Sequence, residues 1–424
     1  MNGESLRQKF LIRGGKKLEG EIEVRGAKNS AGPVLAATLL TDEECFIENL
    51  PKVSDILNLL DILEQIGKKV EWVGEREVRI SGAEIDPKKI DFEKVSKSRV
   101  SVLLIGALIP RVKEFKFSRP GGDRIGLRPI EIHLNALKEL GVTIEERGDF
   151  YFFKREKTRS GEIVLSEFSV TATENLLMAA ALTEGTTVIK GAAQEPHVQD
   201  LIAALIKMGA KIKRRWANVL EVEGVKKLGG MRHFLIPDTN EAGTFLMMGA
   251  AMGERLRVKK IIPEHLDLFL NKLKEAGISF KKEETAIEIW RPAKFYPIKV
   301  QALPYPGFPT DLLPLIIPLL TQAEGKSLIH DPLYENRLTY IHELRKMGAD
   351  IEITDPHRCF VFGKTPLKGV TIESWDIRAG ASLVLASLIA EGETTIKNIE
   401  QIDRGYEAIE ERLQKVGAEI KRLN

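Results

Sequence analysis

Cysteine is nearly absent: two residues, Cys45 and Cys359, stand far apart in a chain of 424 and make no CxxC pair. A disulfide scaffold is thereby excluded, and both thiols read as reduced, buried small hydrophobes. The seven histidines form no HExxH and no Cys/His ligand spacing, so no metal site is expected. There is no GxxxxGK[ST], and no GxGxxG follows a strand, which removes P-loop hydrolysis and a Rossmann cofactor site. Charge of one sign is missing too. The 63 Lys and Arg against 61 Asp and Glu leave a net charge of +2 with no sustained run, which disfavours nucleic acid and membrane surfaces as partners. The most apolar stretches, residues 312–320 and 382–390, are about half the ~20 residues a membrane span needs, and Pro314 and Pro318 interrupt the first. The start, MNGESLRQKF, lacks the basic-then-apolar order of a secretory signal, so the chain is read as cytoplasmic, without membrane insertion.

What the chain does have is length and a period. At 43% hydrophobic residues, 424 positions predict two or three domains. Six glycines, Gly67, Gly141, Gly209, Gly277, Gly348 and Gly417, recur at spacings of 74, 68, 68, 71 and 69 in the related contexts QIGKKV, ELGVTI, KMGAKI, EAGISF, KMGADI and KVGAEI. Each is expected just past an amphipathic helix, where a left-handed residue is needed and glycine bears no Cβ penalty. Each copy opens with a uniformly apolar segment, such as PVLAATLL, ENLLMAAALTEG or LLPLIIPLLTQAEG, which predicts a buried helix. A short strand lies between the two helices, as in CFIEN, TTVIKG and TTIKNI. Six such units suit βα modules around shared buried helices, most economically three per domain, with the break near residues 226–230. Two domains imply a cleft where a small molecule binds.

Candidate functional residues are those that break the repeat. GAKNSAGP places Lys28 and Asn29 at the mouth of the first buried helix, where a cation and helix-terminal amides hold an anion, unless Asn29 or Ser30 is merely a cap and Lys28 solvated. The second copy carries PGGDRIGLRP, a glycine-rich loop with Asp123, Arg124 and Arg128, readable as a ligand loop or as a surface turn. Arg99 precedes the second buried helix. In the second half, FPTDLLP, ENRLTY, SWDIRAG and QIDRGYE supply Asp311, Arg337, Asp376 with Arg378, and Asp403 with Arg404. Arginines converging on one site suit a phosphate or carboxylate, whereas isolated Asp–Arg pairs are ordinary surface bridges.

In order along nearly the whole chain, GAKN, PGGxxIGxRP, FPTD, ENR, DIRAGASLVLA and IDRGYE resemble the family of UDP-N-acetylglucosamine 1-carboxyvinyltransferases, enolpyruvyl transferases similar to the shikimate-phosphate enolpyruvyl synthases. The resemblance implies an α/β fold of two inside-out α/β barrel domains, each of three repeated βα modules. Residues 1–20 plus 230–424 would form one domain, and 21–229 the other, carrying the PGGDRIG loop. It implies transfer of the enolpyruvyl group of phosphoenolpyruvate to the 3-hydroxyl of UDP-N-acetylglucosamine through a tetrahedral ketal. That reaction is the first committed step of peptidoglycan synthesis, and so serves cell wall, shape and division. The partners implied are these two substrates, with no metal, no organic cofactor and no obligate protein partner.

By the same resemblance, Lys28, Arg128 and Arg404 grip phosphoenolpyruvate, Arg99, Arg337 and Arg378 support them, and Asn29 and Asp376 lie close to the reacting atoms. Asp311 would take the hydroxyl proton as general base. Pro129, Ile130, Glu131, Ile132, Ser169 and Val170 would hold the sugar nucleotide. Glu131 stands where many members have Asp, and Glu167 and Thr171 where some have Lys and Gly. The main departure is Asp123, where most members carry a proton-donating Cys; a carboxylic acid donates the same proton if burial or nearby negative charge keeps it protonated. Fosfomycin alkylates that thiol, so resistance is expected. The competing readings are a shikimate 3-phosphate enolpyruvyl transferase, disfavoured by GAKN and PGGxxIGxRP, and a non-catalytic repeat clamp, disfavoured by the balanced charge. The Lys- and Glu-rich, Cys-poor composition hints at a thermophilic source.

Overall fold

The computed structural model of the protein describes residues 8–123 and 125–424 as an α/β chain in two compact units. The first unit runs to Arg25, takes up residues 125–127 and continues over Pro237–Asn424; the second covers Gly26–Asp123 and Arg128–Ile236. Each unit has its own hydrophobic core. Arg124 falls outside the described residues.

Among the described residues each unit holds three sheets, four-stranded except for one of three strands in the second unit. A sheet of the second unit shows how they are made. Strand Cys45–Glu48 lies antiparallel to Glu77–Ser81, which closes a hairpin with Lys69–Gly74, and Met231–Phe234 adds on the other side in parallel. Alternation decides the faces: in Cys45–Glu48, Cys45 and Ile47 are buried while Phe46 and Glu48 are half-buried.

The apolar segments form the buried helices anticipated for them. Lys28–Ala37, Leu103–Leu108 and Val170–Ala181 lie within the second core, and Thr239–Met252, Leu313–Leu320 and Ile377–Ile389 within the first. All eight residues of Leu313–Leu320 are buried. Each fully buried Leu or Ile contributes roughly 1.5–3 kcal/mol, so a helix with no polar face is stable only inside the unit. The amphipathic helices end as expected. All six repeat glycines have positive φ, between 86° and 115°. In five of them the following residue donates its N–H back to a carbonyl five residues earlier, as in Lys68 to Leu63 and Ala210 to Leu205, at 2.9–3.1 Å.

The units divide at Arg25/Gly26 and Ile236/Pro237 rather than at residues 20 and 230. Strand pairing is the reason. Leu18–Glu23 runs parallel to Gly253–Lys259 throughout its length, so residues 21–23 stay with the first unit; Met231–Phe234 pairs with Cys45–Glu48 and stays with the second. The N-terminal strand Lys9–Arg13 inserts between Glu393–Lys397 and Glu419–Leu423, antiparallel to both. No helix among the described residues is long and apolar enough to cross a membrane.

Candidate active site

In the first unit the starts of the three buried helices meet, and the residues there bond to one another. Asp311 sits in the 3-10 turn Thr310–Leu312 that leads into Leu313–Leu320. Its Oδ1 accepts from Arg337 Nη2 at 3.1 Å; its Oδ2 accepts from Arg378 Nε and Nη2 at 3.2 and 3.0 Å and from Asn240 Nδ2 at 3.1 Å. The approach is close because Gly243 faces Leu312: a methyl group at Gly243 would overlap the leucine side chain. Asp238 caps helix Thr239–Met252 and Asp376 caps helix Ile377–Ile389, each accepting from two backbone N–H groups of its own first turn.

Pro318 matters for this geometry. Lacking an N–H, it cannot bond the Pro314 carbonyl one turn earlier. That carbonyl instead accepts from Tyr340 Oη at 2.6 Å and Ser382 Oγ at 2.8 Å. The two donors come from the segments that carry Arg337 and Arg378, so both segments are tied to the helix Leu313–Leu320 that follows Asp311. Burial pushes the Tyr340 phenol well above its ordinary value, which keeps it a donor.

Arg337 is 2% exposed; its Nε forms an ion pair with Asp331 Oδ2 at 3.7 Å, and its Nη1 is buried without a hydrogen-bond partner. Burial opposes its charge, but Asp311, Asp376 and Asp331 outweigh that and hold it above the usual arginine range. Arg378 is likewise raised: burial opposes, and Tyr406, Asp311 and Asp238 overcome it. Arg404, at the end of helix Glu400–Asp403, is half-buried and donates to Gln401 Oε1 at 3.0 Å. Neighbouring Asp403 takes the bland alternative, a two-oxygen bridge to Arg422 at 2.7 and 2.8 Å.

The second unit gathers a separate set. Lys28 is buried in the first turn of Lys28–Ala37, with Nζ 2.5 Å from Asp55 Oδ2; it is not the solvated lysine of the bland reading. Asn29 is half-buried beside it. Ser30 bonds Asp200, whose other oxygen is 2.9 Å from His233 Nε2, which secures that helix start. Arg99 holds the exit of the glycine-rich loop by its backbone, donating to Arg128 O at 2.7 Å and Pro129 O at 3.1 Å. Gly122, with φ of 127°, lets the loop turn against Arg99, where a side chain would crowd Arg99 and Arg128. Asp123 and Arg128 are half-buried at the two sides of the described loop.

Of the expected nucleotide contacts, Glu131 is exposed in the first turn of helix Glu131–Glu139, Ile132 is half-buried and Pro129 exposed. Ser169 caps helix Val170–Ala181 through Ala172 N at 3.3 Å, with half-buried Val170 as its first residue. The Ile130 side chain is 4% exposed and packs in the core. His133 Nε2 lies 2.8 Å from Thr171 Oγ1; burial, aided by Arg99, drives the imidazole down to about 3, so it is neutral at pH 7.

Sequence reasoning missed Asn240, Tyr340, Tyr406 and Asp331. Tyr406 lies under the Arg378 guanidinium at 5.3 Å and meets Thr244 Oγ1 at 2.8 Å; Asp331 accepts from Thr310 Oγ1 at 2.6 Å. One signal was available for Asn240. DTNEAG in the fourth copy matches AKNSAG in the first, which puts Asn240 at the repeat position of Asn29.

The α/β scaffold that carries these arginines, the clasped carboxylate and the buried helix starts is shared by known structures. The enolpyruvyl transferase NikO from Streptomyces tendae superposes with a TM-score of 0.90 at 23% identity, over 98% of this chain and 99% of that one. The EPSP synthase of Acinetobacter baumannii does so with 0.74 at 20%, over 99% and 100%. The family model for EPSP synthase (3-phosphoshikimate 1-carboxyvinyltransferase) matches residues 12–413. Proteins named UDP-N-acetylglucosamine 1-carboxyvinyltransferase are more similar in sequence. The one numbered 1 from Carboxydothermus hydrogenoformans is 42% identical over 98% of this chain and 99% of its own; that of Koribacter versatilis is 42% identical over 98% and 96%. The chain therefore belongs to the EPSP synthase family of enolpyruvyl transferases, among the UDP-N-acetylglucosamine 1-carboxyvinyltransferases.

Proposed function

We propose that the protein transfers the enolpyruvyl group of phosphoenolpyruvate to the 3-hydroxyl of UDP-N-acetylglucosamine, with release of phosphate, and so serves peptidoglycan synthesis in the cytoplasm. The observation that carries the choice of acceptor is the 42% identity over 98% of the chain to relatives bearing that name. The solved structures, at 23% and 20%, speak for the fold alone. The same reading makes the architecture two inside-out α/β barrels of three βα modules each.

In this reading Asp123 gives a proton to C3 of phosphoenolpyruvate, the sugar oxygen bonds C2, and Asp311 accepts the proton leaving that hydroxyl. The carboxylate left on Asp123 then takes a C3 proton from the resulting ketal; that electron pair forms the C2–C3 double bond, breaks the bond from C2 to the phosphate oxygen and expels phosphate. Lys28, Arg128 and Arg404 hold the phosphate and carboxylate, with Arg99, Arg337 and Arg378 supporting. Asn29 and Asp376 flank the reacting atoms, and Pro129, the Ile130 backbone, Glu131, Ile132, Ser169 and Val170 take the nucleotide. Support for Asp311 is its clasp: three neighbours, two of them buried arginines, fix the carboxylate's orientation, so it acts by position.

The test is phosphate release from phosphoenolpyruvate with either UDP-N-acetylglucosamine or 3-phosphoshikimate as sole acceptor. Release with the sugar nucleotide alone is expected, and Asp311→Asn should lower kcat by roughly 100-fold or more. Release only with 3-phosphoshikimate would overturn the acceptor, and an unimpaired Asp311→Asn would overturn the base.

A further inference from the structure

Asn240 is part of neither the cation set nor any motif that carried the functional reading, yet it is 8% exposed and spends its side-chain N–H on the reactive carboxylate. It stands in the first turn of helix Thr239–Met252, whose start is fixed three times over. Asp238 Oδ1 accepts from Asn240 N at 2.8 Å and Glu241 N at 3.0 Å. Buried Glu241 accepts from Arg25 N at 2.8 Å and from Arg412 Nη2 at 2.7 Å. Thr244 Oγ1 takes hold of the Asn240 carbonyl at 2.8 Å. An amide on so constrained a turn presents its donor in one place, and the Asp311 oxygen is at that place.

We propose that Asn240 is a positioning residue for Asp311, setting the orientation of its carboxylate through the Nδ2–Oδ2 hydrogen bond. The proposal rests on Asp311 being the proton acceptor. Arg378 reaches the same oxygen through two N–H groups, and Arg337 reaches the other. Arg378 and Arg337 are charged and alone could draw the carboxylate toward either guanidinium; a neutral third donor from a different helix fixes the plane without adding charge. The charged and titratable groups that act on these two arginines include Asp311, Asp331, Asp376, Asp238, Tyr334 and Tyr406.

Donation to an ionised carboxylate favours the ionised form. Removing it therefore moves the acidic limb of the kcat profile to higher pH. In Asn240→Ala, kcat should fall about tenfold with KM for both substrates changed less than about twofold. Asn240→Asp, the same shape with a second negative charge, should fall further than Asn240→Ala, while Asn240→Gln should recover part of the loss. Circular dichroism and thermal midpoints identify any variant that fails to fold. Wild-type kcat and pH profile in both Asn240→Ala and Asn240→Asp, with Asp311→Asn inactive, would overturn the role of Asn240 and leave the base standing. An active Asp311→Asn would remove the base and this proposal with it.

Discussion

At the scale of single residues, the chemistry rests on which side chains are held and by what. Asp311 is held by the side chains of Asn240, Arg337 and Arg378, Lys28 by Asp55, and the loop exit by Arg99, which donates to two carbonyls. Asp123 is the residue at which this chain parts from the family pattern. An oxygen acid offers no thiolate to an epoxide, so fosfomycin should leave the native protein unmodified by intact mass and uninhibited. Asp123→Cys should gain one covalent adduct and become sensitive. An adduct on native Asp123 would contradict this.

Elements end where backbone geometry requires it. The six repeat glycines share a left-handed conformation, but their surroundings differ, and the difference can be measured. At Gly209 nothing lies within reach of an added methyl group, so Gly209→Ala should cost only the left-handed strain, about 1–2 kcal/mol. At Gly67 the added carbon would overlap the Glu84 carbonyl oxygen, so Gly67→Ala adds a backbone clash and should cost clearly more. Urea midpoints of the two variants decide it, and equal losses would mean that strain alone sets the cost. Edge strands show a second device. Lys211–Trp216 is the outer strand of its sheet and is exposed along nearly all its length, with Lys211, Lys213, Arg214 and Arg215 deterring pairing with another chain.

For the whole molecule the notable feature is exchange of strands along the chain. Lys9–Arg13 completes a sheet whose other members lie beyond residue 370, with Phe10 and Ile12 fully buried. Burying two such side chains contributes roughly 3–6 kcal/mol. Removing residues 1–15 should therefore lower the thermal midpoint of the first unit by roughly 10 °C. Hydrogen exchange should quicken in Glu393–Lys397 and Glu419–Leu423 and stay unchanged in Cys45–Glu48, which belongs to the second unit's sheet. Unchanged exchange in the first pair would show that the strand adds little.

The sequence by itself determined what depends on near neighbours. Helix periodicity, the fully apolar helices, the strands CFIE, TTVIK and TTIK, and the left-handed glycines all follow from residues within one or two turns of each other, where propensity and sterics act directly. It also marked Asp311, Arg337, Asp376 and Arg378 as positions where an otherwise regular repeat carries charge. Which of these meet was decided only by tertiary structure. Asn240, Asp311, Arg337 and Arg378 come from four separate segments, and a one-turn shift of any buried helix would separate them. Asp403 and Arg404 are adjacent in sequence and look alike as candidates, yet Asp403 is engaged by Arg422 nineteen residues on. The unit boundaries moved for the same reason, because Leu18–Glu23 and Met231–Phe234 choose partners more than 180 residues away. Pairing across such distances is settled by the packing of the complete core, which no local pattern records.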